Sequence, residues 1–239
     1  MTKKSNYRND MKRLVCTTTP PSITTIEKYI TELPLINTVN LRNRKIAKEL
    51  ILNAITENTF ILIDGPSMSG KSTFAPKLAK EISGIVIDID YLAAEYYLKH
   101  SINKKEAIEN FSFKRINEET DSFIINNLQK IIKEKKKEKK PIILVGTYIQ
   151  ILQRAIVMKT IGKMFKKTVS IFCCEESEEA YKKLYLSRKH DLNNLPCNNE
   201  FEKECKNFRF ASSLIQSNLL GFGFTNSYVI NTTVSDEFQ

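Results

Sequence analysis

One octapeptide constrains this chain more than any other feature. Gly65-Pro66-Ser67-Met68-Ser69-Gly70-Lys71-Ser72 satisfies the pattern G-x-x-x-x-G-K-[ST] at every fixed position. Its flanks have the composition that the pattern needs. Thr59 to Ile63 is a short run of branched and aromatic residues, as in a buried strand. From Thr73 onward, Phe74, Ala75, Leu78, Ala79 and Ile82 recur at helical spacing. A strand, a glycine loop and a helix in that order turn backbone N–H groups inward around a phosphate. Gly65 and Gly70 permit the dihedrals and the close approach involved, and the helix aims its positive end at the same anion. Gly65, Pro66, Ser67, Met68, Ser69, Gly70, Lys71, Ser72 and Thr73 are therefore the expected phosphate-binding residues. Lys71 is expected to reach the β- and γ-phosphates of a nucleoside triphosphate, and the Ser72 hydroxyl to hold Mg²⁺. ATP with Mg²⁺ is the implied pair.

After the helix, Ile85-Val86-Ile87-Asp88-Ile89-Asp90 predicts a second strand ending in two carboxylates. Two strands joined by a helix of about ten residues imply a right-handed parallel βαβ unit. Ligands of such sheets sit beyond the carboxyl ends of the strands. Asp88 and Asp90 should then arrive beside the loop, Asp88 to support the metal and Asp90 to take a proton from an acceptor. The alternative is that Asp90 caps the helix that follows.

Further along, Tyr91 to His100 and Lys104 to Ile132 carry helical patterns, with Lys114 and Arg115 among them, and the basic run Lys133 to Lys140 closes the second. Ile142 to Val145 is an uninterrupted apolar run, so a buried third strand, followed by Gly146-Thr147 and by no acid of the Walker B kind. A helix over Tyr148 to Met158 comes next, with Arg154 facing either way. Thr168 to Cys173 predicts the fourth strand and Ser177 to Lys189 a helix capped by Ser177. Arg188, near that helix's end and before an Asn/Pro-rich loop, suits a lid over 188–200 that closes on transferred phosphates. A helix from Glu200 to Asn218 and a fifth strand at Ser227 to Asn231 complete the pattern. Ahead of the core, Ile23 to Leu33 and Leu41 to Ile55 read as helices. The expected architecture is an α/β P-loop NTPase fold with about five parallel strands flanked by helices. It divides into a basic tail and helical N-terminal extension over 1–57 and a core over 58–239, in which 91–140 forms an acceptor-binding insertion.

Composition narrows the partners. Of 239 residues, 41% are hydrophobic, which is enough to bury a core. The net charge of +10 is concentrated at the start of the chain and in Lys133 to Lys140. That charge suits polyanionic nucleotides or a lysine-rich surface, and no basic-aromatic module marks the chain for nucleic acid. Five cysteines without C-x-x-C spacing suggest reduced thiols, and no apolar run of membrane-spanning length occurs. A soluble cytoplasmic protein is expected, acting on a small-molecule acceptor.

The loop together with Asp88-Ile89-Asp90 resembles P-loop small-molecule kinases such as the shikimate, gluconate and nucleoside or nucleotide kinases. The resemblance implies that Asp90 contacts the acceptor hydroxyl, that Asp88 lies nearer Mg²⁺, and that Arg188 matches the family's lid arginine. It also implies Lys71, Asp90 and Arg188 as the catalytic set. The glycine triplet of shikimate kinases is reduced here to Gly146. A second resemblance rests on the same loop and on Pro141 to Tyr148, which are similar to segments of isopentenyl transferases acting on tRNA or adenosine phosphate. That family also places an acid where Asp90 stands, although its D-S-x-Q-x-Y pattern is replaced here by Asp90-Tyr91-Leu92-Ala93. A nucleotide-dependent switch without an acceptor is the non-enzymatic alternative.

Overall fold

The computed structural model of the chain describes residues 33–42, 47–100, 118–147, 151–191 and 198–232. The strands are β1 (Val39–Asn40), β2 (Thr59–Asp64), β3 (Ile85–Asp88), β4 (Ile142–Val145), β5 (Lys167–Cys173) and β6 (Asn226–Ile230). They form one parallel sheet in the order β1-β6-β5-β2-β4-β3. The helices are α1 (Ala47–Asn53), α2 (Lys71–Ile82), α3 (Ile89–His100), α4 (Glu118–Lys135), α5 (Ile151–Thr160), α6 (Glu178–Asp191) and α7 (Asn198–Gln216). This is the P-loop NTPase architecture the sequence predicts, with one strand more. β1 is only two residues long and exposed, so no periodicity marks it; it is visible only through its pairing of Val39 with Tyr228 and Asn40 with Val229.

The central strand shows why the sheet forms as it does. β2 is buried along its whole length, and successive side chains go to opposite faces. Phe60 and Leu62 join Ile142, Leu144 and the apolar side of α4 and α5, whereas Ile61 and Ile63 join Ile143, Val145 and the apolar sides of α1 and α2. An unbroken apolar run is what a parallel strand covered on both faces requires. A third cluster fills the space between β5, β6, α6 and α7 around Phe172, Tyr181, Tyr185 and Phe208. The sheet grows to both sides of β2, toward β4 and β3 on one and β5 and β6 on the other. Its carboxyl end therefore marks the switch point where doubly wound sheets bind ligands.

Several boundaries differ from the sequence expectation. The helix expected from Leu41 begins, among the described residues, at Ala47, because Leu41 donates its N–H to Val229 O at 2.8 Å and so prolongs the β1 pairing. β3 stops at Asp88, two residues short of Asp90. α2 ends on Ser83 in the left-handed conformation, φ 53°, whereas Gly84 after it donates to Ala79 O. Residues 133–140 leave the α-helix after Lys135 and tighten into a 3₁₀ turn. The helix expected over 23–33 (all but Leu33), Lys114, Arg115, and 192–197 of the expected lid lie outside the described residues.

Candidate functional site

The loop from Gly65 to Gly70 runs between the end of β2 and the start of α2. Its shape follows from its glycines. Gly65 has φ 139°, and a Cβ there would lie 2.1 Å from the Cys173 carbonyl oxygen, so no other residue fits against β5. Gly70 precedes α2 with φ 87°, and Met68 at the tip is also left-handed, φ 60°.

The loop carbonyls are engaged by the protein itself. Lys71 Nζ donates to Gly65 O at 2.9 Å and to Pro66 O at 2.6 Å. The Tyr181 hydroxyl donates to Ser67 O at 3.1 Å, and the Thr232 hydroxyl to Ser69 O at 2.7 Å. Gly70 O accepts the N–H groups of Thr73 and Phe74. Within the loop the Ser69 N–H turns to Pro66 O at 3.4 Å. The Ser69 hydroxyl is buried without a protein partner, which makes it a further polar group set inside the loop. The Ser72 and Thr73 side chains are exposed in the first turn of α2. Burial pulls the Lys71 ammonium below its ordinary range, opposed by the negative charges of Asp64, Asp90 and Glu204. These features fit a phosphate group: an orphaned hydroxyl, a glycine that only bare backbone can replace, and a buried lysine at a helix N-terminus.

Asp88 and Asp90 reach the same end of the sheet in a different local structure from the one expected. Asp88 ends β3 and its Oδ1 accepts the Asp90 N–H at 2.9 Å, so Asp88 caps α3 and Asp90 is an exposed residue of that helix's first turn. The capping assigned to Asp90 in the sequence thus belongs to Asp88. Burial raises the Asp88 carboxyl, held back by the N–H groups of Asp90 and Tyr91. β3 runs parallel to β2 through β4, so Asp88 lies at the end of the sheet from which the loop departs. The Asp90 charge raises the Lys71 pKa, and the Lys71 charge lowers that of Asp88. Ser72 and Asp88 supply hard oxygen donors of the kind Mg²⁺ takes when phosphates complete its shell. Among the described residues no cluster of three His, Cys, Asp or Glu side chains forms a self-sufficient metal site. Arg188 lies in α6, seven residues or about two turns after Tyr181. Gly146 is buried after β4 and its N–H donates to Ile63 O at 3.2 Å, with Thr147 exposed beyond it.

Three features of the site escape the sequence. Asp64, the residue before the loop, is fully buried and paired to the buried Arg154 Nη1. Arg154 Nη2 donates to Ser170 Oγ and Leu220 O, both at 2.6 Å, and the guanidinium lies 5.2 Å from the Phe224 ring centroid. Arg154 therefore faces inward. Burial lifts the Asp64 carboxyl to about 6 against the pull of Arg154 and Lys71. The other two are Tyr181 and Thr232, which sit 114 and 163 residues from the carbonyls that they hold. The signal for Asp64 and Arg154 lies in the pattern, since each interrupts an apolar stretch. No local signal announces Tyr181 or Thr232.

A protein-family model described as AAA domain matches residues 60–196. A tRNA dimethylallyltransferase of Pelagibacter ubique (strain HTCC1062) is 35% identical over 143 residues, covering 54% of this chain and 45% of that protein. The chain thus spans less than half the length of the curated relative it matches. Similar solved structures include a shikimate kinase from Acinetobacter baumannii in complex with shikimate, with TM-score 0.44, 17% identity, and coverage of 74% of this chain and 84% of that one. A gluconokinase from Sinorhizobium meliloti 1021 has TM-score 0.41 and 14% identity, covering 70% of this chain and 93% of that one. Among the described residues, no helix is long and apolar enough to cross a membrane.

Proposed function

This chain belongs to the AAA domain family, and we propose that it is a group transferase that holds the diphosphate of dimethylallyl diphosphate in its P-loop and transfers the dimethylallyl group to an adenine base. The observation that carries this reading is the 35% identity to a tRNA dimethylallyltransferase. The loop geometry supports it, because a diphosphate needs the same amide cradle as a nucleotide. The acceptor is an adenine in tRNA or in an adenine nucleotide, and it would lie against the segment 91–140. Its amine nitrogen forms a bond to the allylic carbon as the carbon–oxygen bond breaks. The electron pair leaves with the diphosphate, which the loop amides, the Ser69 hydroxyl and Lys71 hold, and Asp90 accepts the amine proton. Mg²⁺, when bound by Ser72 and Asp88, supplies positive charge to the leaving diphosphate.

The second reading is an ATP-dependent kinase, favoured by the carboxylates of Asp88 and Asp90 at the loop end of the sheet. Lys71 and Ser72 would then hold Mg-ATP, Asp90 would take the proton of a small-molecule hydroxyl, and Arg188 would stabilise charge as the lid closes. One experiment separates the two. The protein is incubated with dimethylallyl diphosphate and either AMP or an adenine-containing RNA hairpin. In parallel it receives Mg-ATP with pooled nucleosides, sugars and hydroxy acids. Products are read by mass, with Lys71→Ala as control. A dimethylallyl adduct lost in Lys71→Ala is the expected result. ADP release stimulated by one pool, with no adduct, would replace the first reading by the kinase. ADP release without any acceptor would point to a nucleotide switch.

A further inference from the structure

A dense cluster of lysines lies at the amino end of the sheet, opposite the P-loop. Helices α4 and α5 pack on the same face of the sheet through Leu128 and Ile132 on one and Ala155 to Met158 on the other. Both run toward the amino ends of the strands, so their C-terminal turns reach one corner. Residues 133–140 and 159–167 hold ten lysines there against two glutamates, Glu134 and Glu138. The Glu138 carboxylate is already paired with Lys135 at 2.8 Å. Some of these lysines offset the two helix dipoles, but that role is served within the last turn of each helix. Lys163, Lys166 and Lys167 lie beyond it.

The corner is built as a fixed concavity. Lys136 Nζ donates to Met164 O and lies 5.1 Å from the Phe165 ring centroid, which ties the lysine run to the turn at Gly162–Met164. Beside this contact a cavity of about 360 Å³ has Lys159, Lys163 and Lys166 on its wall together with the apolar Leu33, Met158 and Phe165. None of the exposed large hydrophobic residues lies in 133–140 or 159–167. An inserted amphipathic anchor presents such apolar residues, so the corner lacks the chemistry of that kind of membrane anchor.

We propose that this lysine corner docks an RNA phosphodiester backbone, as a surface separate from the P-loop. A wall with exposed lysines and recessed apolar residues matches the electrostatic recognition of phosphate backbone, which positions a nucleic acid without reading its bases. β2 separates the two ends of the sheet by about 20 Å at roughly 3.3 Å per residue, a span that a short RNA stem covers along the protein flank. RNA, rather than another polyanion, rests on the acceptor reading given above.

The test is fluorescence anisotropy with a labelled RNA hairpin over a salt series, using the full chain. The triple variant Lys159→Gln, Lys163→Gln, Lys166→Gln is expected to bind roughly tenfold more weakly and to shallow the log K against log salt slope by about 2. A control triple, Lys77→Gln, Lys80→Gln, Lys203→Gln, on exposed positions of α2 and α7, is expected to leave the slope unchanged. Thermal unfolding of both triples checks that each is folded. Dimethylallyl transfer to AMP needs no backbone docking. An unchanged rate with AMP alongside weakened hairpin binding keeps the corner apart from the active site. Wild-type protein that does not bind the hairpin, or a corner variant with an unaltered slope, would overturn the proposal. So would equal binding of a DNA duplex of the same length, or preferential binding to anionic vesicles. Hairpin binding that depends on the corner without any transfer would sustain this surface and sink the transferase reading alone.

Discussion

Two aspartates end strands of the same sheet, and their surroundings differ. Asp64 closes β2 and Asp88 closes β3, both at the carboxyl edge beside the loop. Asp64 is wholly buried and answered by one guanidinium. Asp88 is partly exposed and answered by backbone N–H groups. A carboxylate sealed with its counter-ion is fixed in place; one that caps a helix at the rim keeps access to a ligand. Position at a strand end is therefore a weaker guide to chemistry than burial. Asp64 is held beneath the loop by Arg154, and Asp88 is the one whose carboxylate reaches the surface.

The contrast breaks most visibly at Arg154. Arg154→Met should destabilise the fold by about 3–5 kcal/mol, since it leaves the Asp64 charge buried without a partner. Urea unfolding measures this, and the double variant Asp64→Leu, Arg154→Met should recover most of the loss. A single variant within about 1 kcal/mol of wild type would mean that the pair is not what holds Asp64 under the loop.

pH sharpens the same point. The folded-state pKa of Asp64 is raised from 3.8 to about 6, so between these values the folded protein binds more protons at this group than the unfolded chain. Its contribution is complete below about 4 and is lost as the pH rises through 6, a change of about 3 kcal/mol at 1.36 kcal/mol per unit. The difference between unfolding free energies at pH 4.5 and 7 should shrink in Asp64→Asn. An unchanged difference would assign the pH dependence to other carboxylates.

How legible each region was follows from the range of its interactions. The P-loop, its strand and its helix are local, with fixed spacing and periodicity, so the sequence carries them. Ser177, which caps α6 by accepting the Ala180 N–H at 3.1 Å, is equally local. The D-x-D segment was half legible: its place beside the loop follows from topology, but whether Asp88 or Asp90 caps depends on where the strand ends. β1 and the holds from Tyr181 and Thr232 depend on partners more than a hundred residues away, which no window of sequence contains. Arg154 was ambiguous for a different reason, because its inward partners Asp64, Ser170 and Leu220 lie far from it in the chain.

The two roles of Asp88 can be separated by two substitutions. Asp88→Ala removes the cap of α3 and should cost about 1 kcal/mol of stability. Asp88→Asn keeps a capping oxygen and should stay near wild type in unfolding, yet lose the charge offered to a metal. If Asn retains full Mg²⁺-dependent activity, Asp88 is a cap only and its contrast with Asp64 reduces to burial.

The smallest expected effect tests whether the loop is set from outside. Tyr181→Phe deletes one hydroxyl from a fully buried ring that stacks on Phe208 at 4.7 Å, so the packing of α6 on α7 persists. What is lost is the bond to Ser67 O, typically worth about 0.5–1.5 kcal/mol. If that bond keeps the carbonyl turned away from the anion, the loss should appear as roughly two- to tenfold weaker pyrophosphate binding by calorimetry. Asp64→Leu, Arg154→Met should instead weaken pyrophosphate only as far as Lys71 feels the missing charge. Equal affinity in Tyr181→Phe, with stability lowered by the same amount, would show that the hydroxyl braces α6 rather than the loop. The loop would then be set by its glycines, by Lys71 and by the Thr232 hydroxyl on Ser69 O.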